Sequence, residues 1–273
     1  MSTQVYTIPP NNDLKNIVKS FFVMEHSETK SQKQYLLPDG LPSFFYLSVS
    51  EDVQAHFFET KQEFSLKSGL YVGYANTLVK LQHQKMKVIG VSVFPFYMSI
   101  LLRTSLTEIM NKFVPVENLI ETDVELSTLK NTTSNNPDDL IKLIEEFILL
   151  RIAQNPIRKE ILGVYELILK SKGNEVNLND IADGTGYSAR YINKLFKKYL
   201  GMSPKQFIKL ARFNYGLKLI GELNSDSNLT QVALELGYYD QAHFIKDFKN
   251  VSGKTPKELL SERESLHKNF SLY

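Results

Sequence analysis

The last hundred residues repeat themselves, and that repeat limits what they can fold into more than any other feature of the chain. Ile181-Ala182 is followed by Gly186-Tyr187, and Val232-Ala233 by Gly237-Tyr238 at the same spacing. Ser188 stands eight residues before Phe196, as Asp240 stands eight before Phe248. Gly201 and Ser203-Pro204 return as Gly253 and Thr255-Pro256. The offset is 51 residues before the turn and 52 after it, so the second turn is one residue longer. An ordered set of matches with one consistent insertion marks two copies of a single supersecondary unit.

Each copy is physically coherent. A short helix, expected over Leu178–Asp183 and again over Leu229–Leu236, brings a small alanine to a close helix crossing. Gly186 and Gly237 allow a sharp turn, because glycine reaches positive φ without steric cost. Ser188 and Asp240 carry side-chain oxygens that can cap the next helix. In those following helices Ile192, Leu195 and Phe196, or Phe244 and Phe248, form an apolar stripe. Gly201 and Gly253 stop the helices, and Pro204 and Pro256 can start the next ones. Two short helices joined by a tight turn are a helix-turn-helix, whose second helix enters the DNA major groove. Pro204 to Glu222 is long enough, at 1.5 Å per residue, to link two such units near one DNA turn apart.

Charge agrees with a polyanion partner. The net charge is only +2, but Ser188 to Lys218 holds eight basic residues and no acidic one. They are Arg190, Lys194, Lys197, Lys198, Lys205, Lys209, Arg212 and Lys218. Such a run supplies phosphate affinity. It also weighs against the other use of a repeated helical array, a scaffold that binds protein.

Residues 173–260 resemble the DNA-binding domain of AraC/XylS-type transcriptional regulators. The second unit carries the more specific half: Val232-Ala233, Leu236-Gly237-Tyr238, Asp240-Gln241, His243-Phe244, Phe248-Lys249, Gly253 and Thr255-Pro256. The first matches through Ile181-Ala182, Ser188, Leu195-Phe196-Lys197 and Gly201-Met202-Ser203-Pro204. The resemblance implies a monomeric domain with two recognition helices, fused to a variable sensing or dimerisation domain. It puts base contacts of the first helix at Arg190, Asn193 and Lys194, on the face opposite Ile192 and Phe196. Arg190 suits guanine and Asn193 suits adenine, while Lys197 and Lys198 suit phosphates. On the second helix the corresponding outward positions are Gln241, Ala242, Ile245 and Lys246, with Lys249 and Lys254 as phosphate candidates. Ile245 would meet either a thymine methyl or a neighbouring helix. Tyr187, Tyr238 and Tyr239 are expected to pack in the turns. The sequence departs from the pattern where Gly184 and Gly186 both fall in the first turn region, and where Asp247 makes the second helix less basic.

The first 130 residues read differently. Aromatic and β-branched runs at 44–49, 57–58, 71–74 and 88–97 alternate with turn signals such as Pro38-Asp39-Gly40, which argues for short strands. Helices are expected from Asn12 or Asp13 through Phe21, and over Tyr97–Asn111. The stretches Tyr35 to Gly40 with Phe44 to Leu47, and Gly90 to Pro95, resemble a cupin-like sensor region of some AraC-type regulators. A barrel mouth there would hold a small apolar or amphipathic ligand, with Phe44, Tyr46, Phe58, Tyr71, Tyr74, Phe94 and Phe96 as wall candidates. These rings serve equally well as core.

The expected fold class is α+β: a β-rich cupin-like domain (1–130), a helical linker or dimerisation region (131–172), an all-α domain of two helix-turn-helix units (173–260) and a tail (261–273). Within the linker, 131–139 reads as a loop, followed by helices near 140–153 and 158–170. The 42% hydrophobic and 23% charged content is that of a globular chain. The absence of cysteine excludes thiolate chemistry. His26, His56 and His83 stand far apart in sequence, and no nucleophile, phosphate-loop or paired-acid motif is present, so neither an enzyme, nor a metal, nor a cofactor is expected. The stretch Val88–Leu102 is too short to span a bilayer, and no signal peptide is read at the start, so a cytoplasmic protein is expected. The expected partners are double-stranded DNA, a small-molecule effector, a second copy of the chain, and RNA polymerase if the protein activates. A regulator whose N-terminal half only dimerises stays open as the alternative.

Overall fold

The computed structural model describes residues 3–120, 136–153, 159–173, 178–222 and 229–261. Residues 1–2, the segment 121–135, the short joins 154–158, 174–177 and 223–228, and the tail expected beyond Ser261 lie outside the described residues, the segment 121–135 including much of the loop expected at 131–139.

Among the described residues, ten strands form two antiparallel sheets. They are β1 (Thr3–Ile8), β2 (Val18–His26), β3 (Gln32–Leu36), β4 (Ser43–Val49), β5 (Val53–Phe57), β6 (Glu63–Leu66), β7 (Gly69–Tyr74), β8 (Val79–His83), β9 (Met86–Val93) and β10 (Lys112–Pro115). The six-stranded sheet has the order β1-β2-β9-β4-β7-β10, and the four-stranded sheet the order β3-β8-β5-β6. Side chains alternate across the larger sheet. Phe22, Met24, Phe45 and Leu47 face inward onto Ala55, Phe57, Val79 and Leu81 of the smaller one. Phe21, Val23, Phe44 and Val91 face outward into a second core built with helices. Gly90 sits where β9 passes under Phe45. A Cβ there would lie 2.6 Å from the Phe45 Cβ and 2.7 Å from the Phe44 carbonyl, so only glycine fits without a shift.

Both expected N-terminal helices are corrected. Residues 12–17 form consecutive turns, begun by Asn11, whose Oδ1 accepts from the N–H groups of Asp13 and Leu14. Phe21 belongs to β2, where Val18, Phe22 and Val23 favour the pleated backbone. The second helix, α1, runs Pro95–Leu101 and stops early. Arg103 takes φ 53°, and Ser105 then opens a separate 3-10 turn at Leu106–Glu108.

Among the described residues eight further helices follow this frame. α2 (Pro137–Ala153) starts with Asp138 and Asp139 against the positive helix end, and its Phe147 stacks on Phe44 at 5.9 Å. α3 (Lys159–Lys170) places Tyr165 between two regions of the chain, 4.7 Å from Phe96 of α1 and 5.0 Å from Phe207. The helix-turn-helix region follows with α4 (Leu178–Thr185), α5 (Ala189–Leu200), α6 (Pro204–Glu222), α7 (Leu229–Glu235) and α8 (Gln241–Ser252), and ends in α9 (Pro256–Ser261). Gly184 lies inside α4, so only Gly186 (φ 71°) makes the first turn. No helix among the described residues is long and apolar enough to cross a membrane.

Candidate nucleic-acid interface

The two repeat units are built alike down to their hydrogen bonds. Ser188 Oγ accepts from the N–H of Tyr191 at 3.2 Å and opens α5. Asp240 Oδ1 accepts from the N–H of His243 at 2.7 Å and opens α8. Both helices end on a left-handed glycine, Gly201 (φ 69°) and Gly253 (φ 68°). The next helix starts each time with a reciprocal cap. Ser203 Oγ accepts from the Gln206 N–H while Gln206 Oε1 accepts from the Ser203 N–H, and Thr255 and Glu258 repeat the exchange. Those hydrogen bonds from Thr255 hold the Glu258 carboxyl below its usual range.

On α5, Ile192 and Phe196 are buried while Arg190, Lys194, Lys197 and Lys198 are exposed on the other side. Asn193 is half-buried and donates back to the Ala189 carbonyl at 2.9 Å, so a base contact would require it to turn outward. On α8, Phe244 and Phe248 are buried, and Ala242, Lys246 and Lys249 are exposed. Gln241 accepts from the Thr230 hydroxyl at 2.8 Å. Ile245 is half-buried against the main core, the neighbouring-helix alternative for an outward isoleucine.

Not all of the basic run faces solvent. Arg212 donates twice to the Gly173 carbonyl, at 2.6 and 3.0 Å, and lies over the Tyr238 ring. Lys209 pairs with Asp247 at 3.8 Å. Lys209 and the other six, Arg190, Lys194, Lys197, Lys198, Lys205 and Lys218, are exposed. Lys254 stands 4.0 Å over the Tyr35 ring rather than in the open. Tyr187 and Tyr238 pack in the turns as expected, but Tyr239 is 93% exposed, because the longer second turn pushes it out of the core.

The C-terminal ends of both recognition helices rest on the β-rich region. The last carbonyls of a helix are short of intrahelical partners, and three on α5 accept from side chains of the β-rich region, that of Lys197 in addition to the Gly201 N–H. Thr107 Oγ1 donates to the Lys197 carbonyl at 2.8 Å, Ser105 Oγ to that of Lys198 at 3.4 Å, and Tyr74 Oη to that of Leu200 at 2.9 Å. Burial pushes the Tyr74 phenol well above its ordinary pKa, so it remains a neutral donor. The Leu106 carbonyl lies close against Gly201, and the Phe58 ring against Gly253.

Between the two sheets lies a cavity of about 140 Å³. Of the seven rings expected to line it, only Tyr74 does. Phe44, Tyr46, Phe94 and Phe96 belong to the outer core, Phe58 meets Gly253, and Tyr71 packs inside on Phe45 without reaching the wall. The walls come instead from Phe22, Phe45, Phe57 and Phe113, with Asp39 and Tyr74 among the polar lining groups. The distant histidines partly converge: His26 and His83 meet edge to face at 5.1 Å. Thr3 bonds His26, and Gln34 bonds His83, whose pKa burial lowers. Among the described residues no three His, Asp or Glu side chains gather as a metal site.

Tandem capped helix-turn-helix units with an exposed basic face define a DNA-binding module. Residues 181–262 match the family model described as a helix-turn-helix domain. Residues 6–115 match a family described as a domain of unknown function (DUF6597). The chain is 30% identical over 125 residues to the Msm operon regulatory protein of Streptococcus mutans, covering 45% of this chain and 44% of that one. It is 27% identical over 128 residues to the HTH-type transcriptional regulator YidL of Escherichia coli, covering 46% and 42%. The match therefore spans less than half the length of these relatives. A ligand-free variant of ToxT from Vibrio cholerae shares the fold over 96% of this chain and 97% of its own, with a TM-score of 0.50 at 13% identity. The α+β architecture, a β-rich region of two sheets joined to a tandem helix-turn-helix, is that fold.

Proposed function

We propose that this protein is a sequence-specific DNA-binding transcriptional regulator, reading two successive major-groove segments with α5 and α8. The observation that carries this is the polarity of α5. Its N-terminal half presents Arg190 and Lys194 to solvent, while its C-terminal end is held by Thr107, Ser105 and Tyr74. Recognition helices read bases from their N-terminal residues, so the grip leaves the reading end clear. Arg190 and Lys194, with Asn193 once turned outward, read bases on the first segment, and Gln241, Ala242 and Lys246 on the second, where Ile245 packs against the core instead. Lys197, Lys198 and Lys249 bind phosphates. The division into 1–130, 131–172 and 173–260 follows this use of the chain, with the first part an effector-binding domain rather than an enzyme.

The cavity between the sheets favours an effector over a purely structural N-terminal half. A second copy remains a partner on a separate observation: Leu149 and Leu150 of α2 and Leu167 of α3 are exposed. RNA polymerase is the partner if the protein activates. Selection of bound sites from random duplex DNA with the full-length chain tests the reading. Two short motifs about one helical turn apart are expected. Recovery of sequences with no shared motif would overturn it.

A further inference from the structure

The Pro38-Asp39-Gly40 turn, an ordinary turn by sequence, touches both the cavity and the DNA-binding region. Asp39 lines the cavity. Its Oδ1 accepts from the Leu41 N–H at 2.9 Å, and Gly40 completes the turn at φ 77°. The preceding Pro38 carbonyl accepts from Asn214 Nδ2 at 3.0 Å. Asn214 lies in the middle of α6, is 1% exposed, and also donates to the Leu210 carbonyl.

Asparagine would form the same turn bond to Leu41 without a charge, so the turn alone does not call for an acid. A desolvated carboxylate without a counter-ion is costly, and desolvation pushes half-buried Asp39 up to about 7 against its hydrogen bonds to the Leu41 and Asp39 N–H groups, with Lys19 of β2 opposing more weakly still. Among the described residues no Lys, Arg or His lines the cavity. The rest of the lining is apolar apart from Ser43, engaged with Ser92, and Tyr74, engaged with Leu200. A cavity of about 140 Å³ compares with the roughly 150 Å³ apolar void that takes up benzene. It therefore fits a molecule of about one ring.

We propose that the cavity binds a small, mostly apolar amine whose ammonium is held by Asp39, and that the Pro38-Asp39-Gly40 turn passes its occupancy to α6 through Asn214. This rests on the effector reading of the N-terminal half and names the ligand class for it. An ammonium supplies the counter-charge the cavity lacks. A carboxylate ligand would set a second negative charge beside Asp39 and is disfavoured. Tightening the turn around a bound ammonium acts on Pro38, whose carbonyl is fixed to Asn214. Tyr74, on the same cavity, is fixed to the end of α5.

The test uses the full-length protein, with benzylamine, toluene and benzoate as probes of matched size. Benzylamine is expected to bind at least about tenfold more tightly than toluene, the worth of a charged hydrogen bond, and benzoate more weakly than toluene. Asp39→Asn keeps the turn acceptor and should bring benzylamine down to the toluene level while leaving toluene unchanged. Hydrogen exchange should show benzylamine protecting the amides of 204–222. If toluene binds and benzylamine gains nothing from Asp39, or benzoate binds as well as the amine, the amine assignment fails and the effector reading stands. If no probe binds, both fail. Amine binding through Asp39 with unchanged exchange in 204–222 would overturn the relay to α6.

Discussion

The phenol of Tyr74 donates a 2.9 Å hydrogen bond to the carbonyl of Leu200, tying the inner end of β7 to the last turn of the first recognition helix. Both groups are buried, so removing one strands the other. Tyr74→Phe keeps the ring in the cavity wall but leaves the Leu200 carbonyl without this donor. It is expected to cost about 1–2 kcal/mol, seen as a lower urea midpoint. Faster hydrogen exchange should be confined to the C-terminal turn of α5. A variant as stable as the parent would mean that the bond contributes nothing to the grip on α5.

Gly201 and Gly186 form a controlled pair for the same contact. Both have positive φ, so alanine at either meets the left-handed strain of about 1 kcal/mol. A Cβ at Gly186 meets nothing within 4 Å, whereas one at Gly201 would lie 2.7 Å from the Leu106 carbonyl. Gly201→Ala should therefore destabilise the full chain clearly more than Gly186→Ala. Equal losses in thermal melts would count against a tight seat of α5 on the β-rich region.

The two caps should be worth similar amounts in unequal units. Ser188→Ala and Asp240→Ala each remove the acceptor of a helix-opening N–H and should cost about 1 kcal/mol. Their effects should add, because the caps belong to separate units. Calorimetry of the single and double variants checks this, and a strongly non-additive double variant would show that the two units do not behave independently.

Arg190 and Lys197 lie on the same exposed side of α5 but are expected to fail in different ways. Arg190→Ala should lower affinity by about 1–3 kcal/mol for sites carrying the matching guanine and relax selection at that position alone. Lys197→Ala should weaken specific and non-specific binding together and reduce the salt slope by about one. Titrations of selected and scrambled duplexes at several salt concentrations separate these outcomes. Interchangeable behaviour of the two variants would refute the division between base and phosphate contacts.

The C-terminal half was legible because its signals are local: a glycine for each left-handed stop, an oxygen for each cap, and apolar residues at helical spacing. The repeat then checked each signal against its copy. The N-terminal half offered no such check. In Phe44-Phe45-Tyr46 both faces of β4 are covered by core, so alternation does not mark the cavity side, and the rings chosen fell mostly on the wrong face. The cavity wall was set by cross-strand register, such as Phe45 opposite Gly90. The helix expected over Tyr97–Asn111 ends at Leu101 because the left-handed Arg103 cannot be read from an apolar stripe. The contacts that join the two regions, Thr107 with Lys197 and Pro38 with Asn214, connect residues 90 and 176 positions apart and leave no local trace.

Asp39 gives the last prediction, and its sign is opposite to that of a salt-bridged acid. Burial raises its pKa from the ordinary 3.8 to about 7 in the folded protein. Between those values the native state holds a proton that the unfolded chain has lost. Stability from this group is therefore full below about pH 4, declines as pH rises towards 7, and levels off above it. Lys19 is the charged group that opposes the shift, and Tyr74 stays neutral throughout that window. Asp39→Asn has no proton to lose, so the difference in Tm between parent and variant should move against the parent from pH 4 to pH 7. Benzylamine should reverse that trend for the parent, since its ammonium favours the ionised carboxyl. Parallel Tm profiles for the two proteins would show that Asp39 ionises as it does in water, and would remove the electrostatic reason for an amine in the cavity.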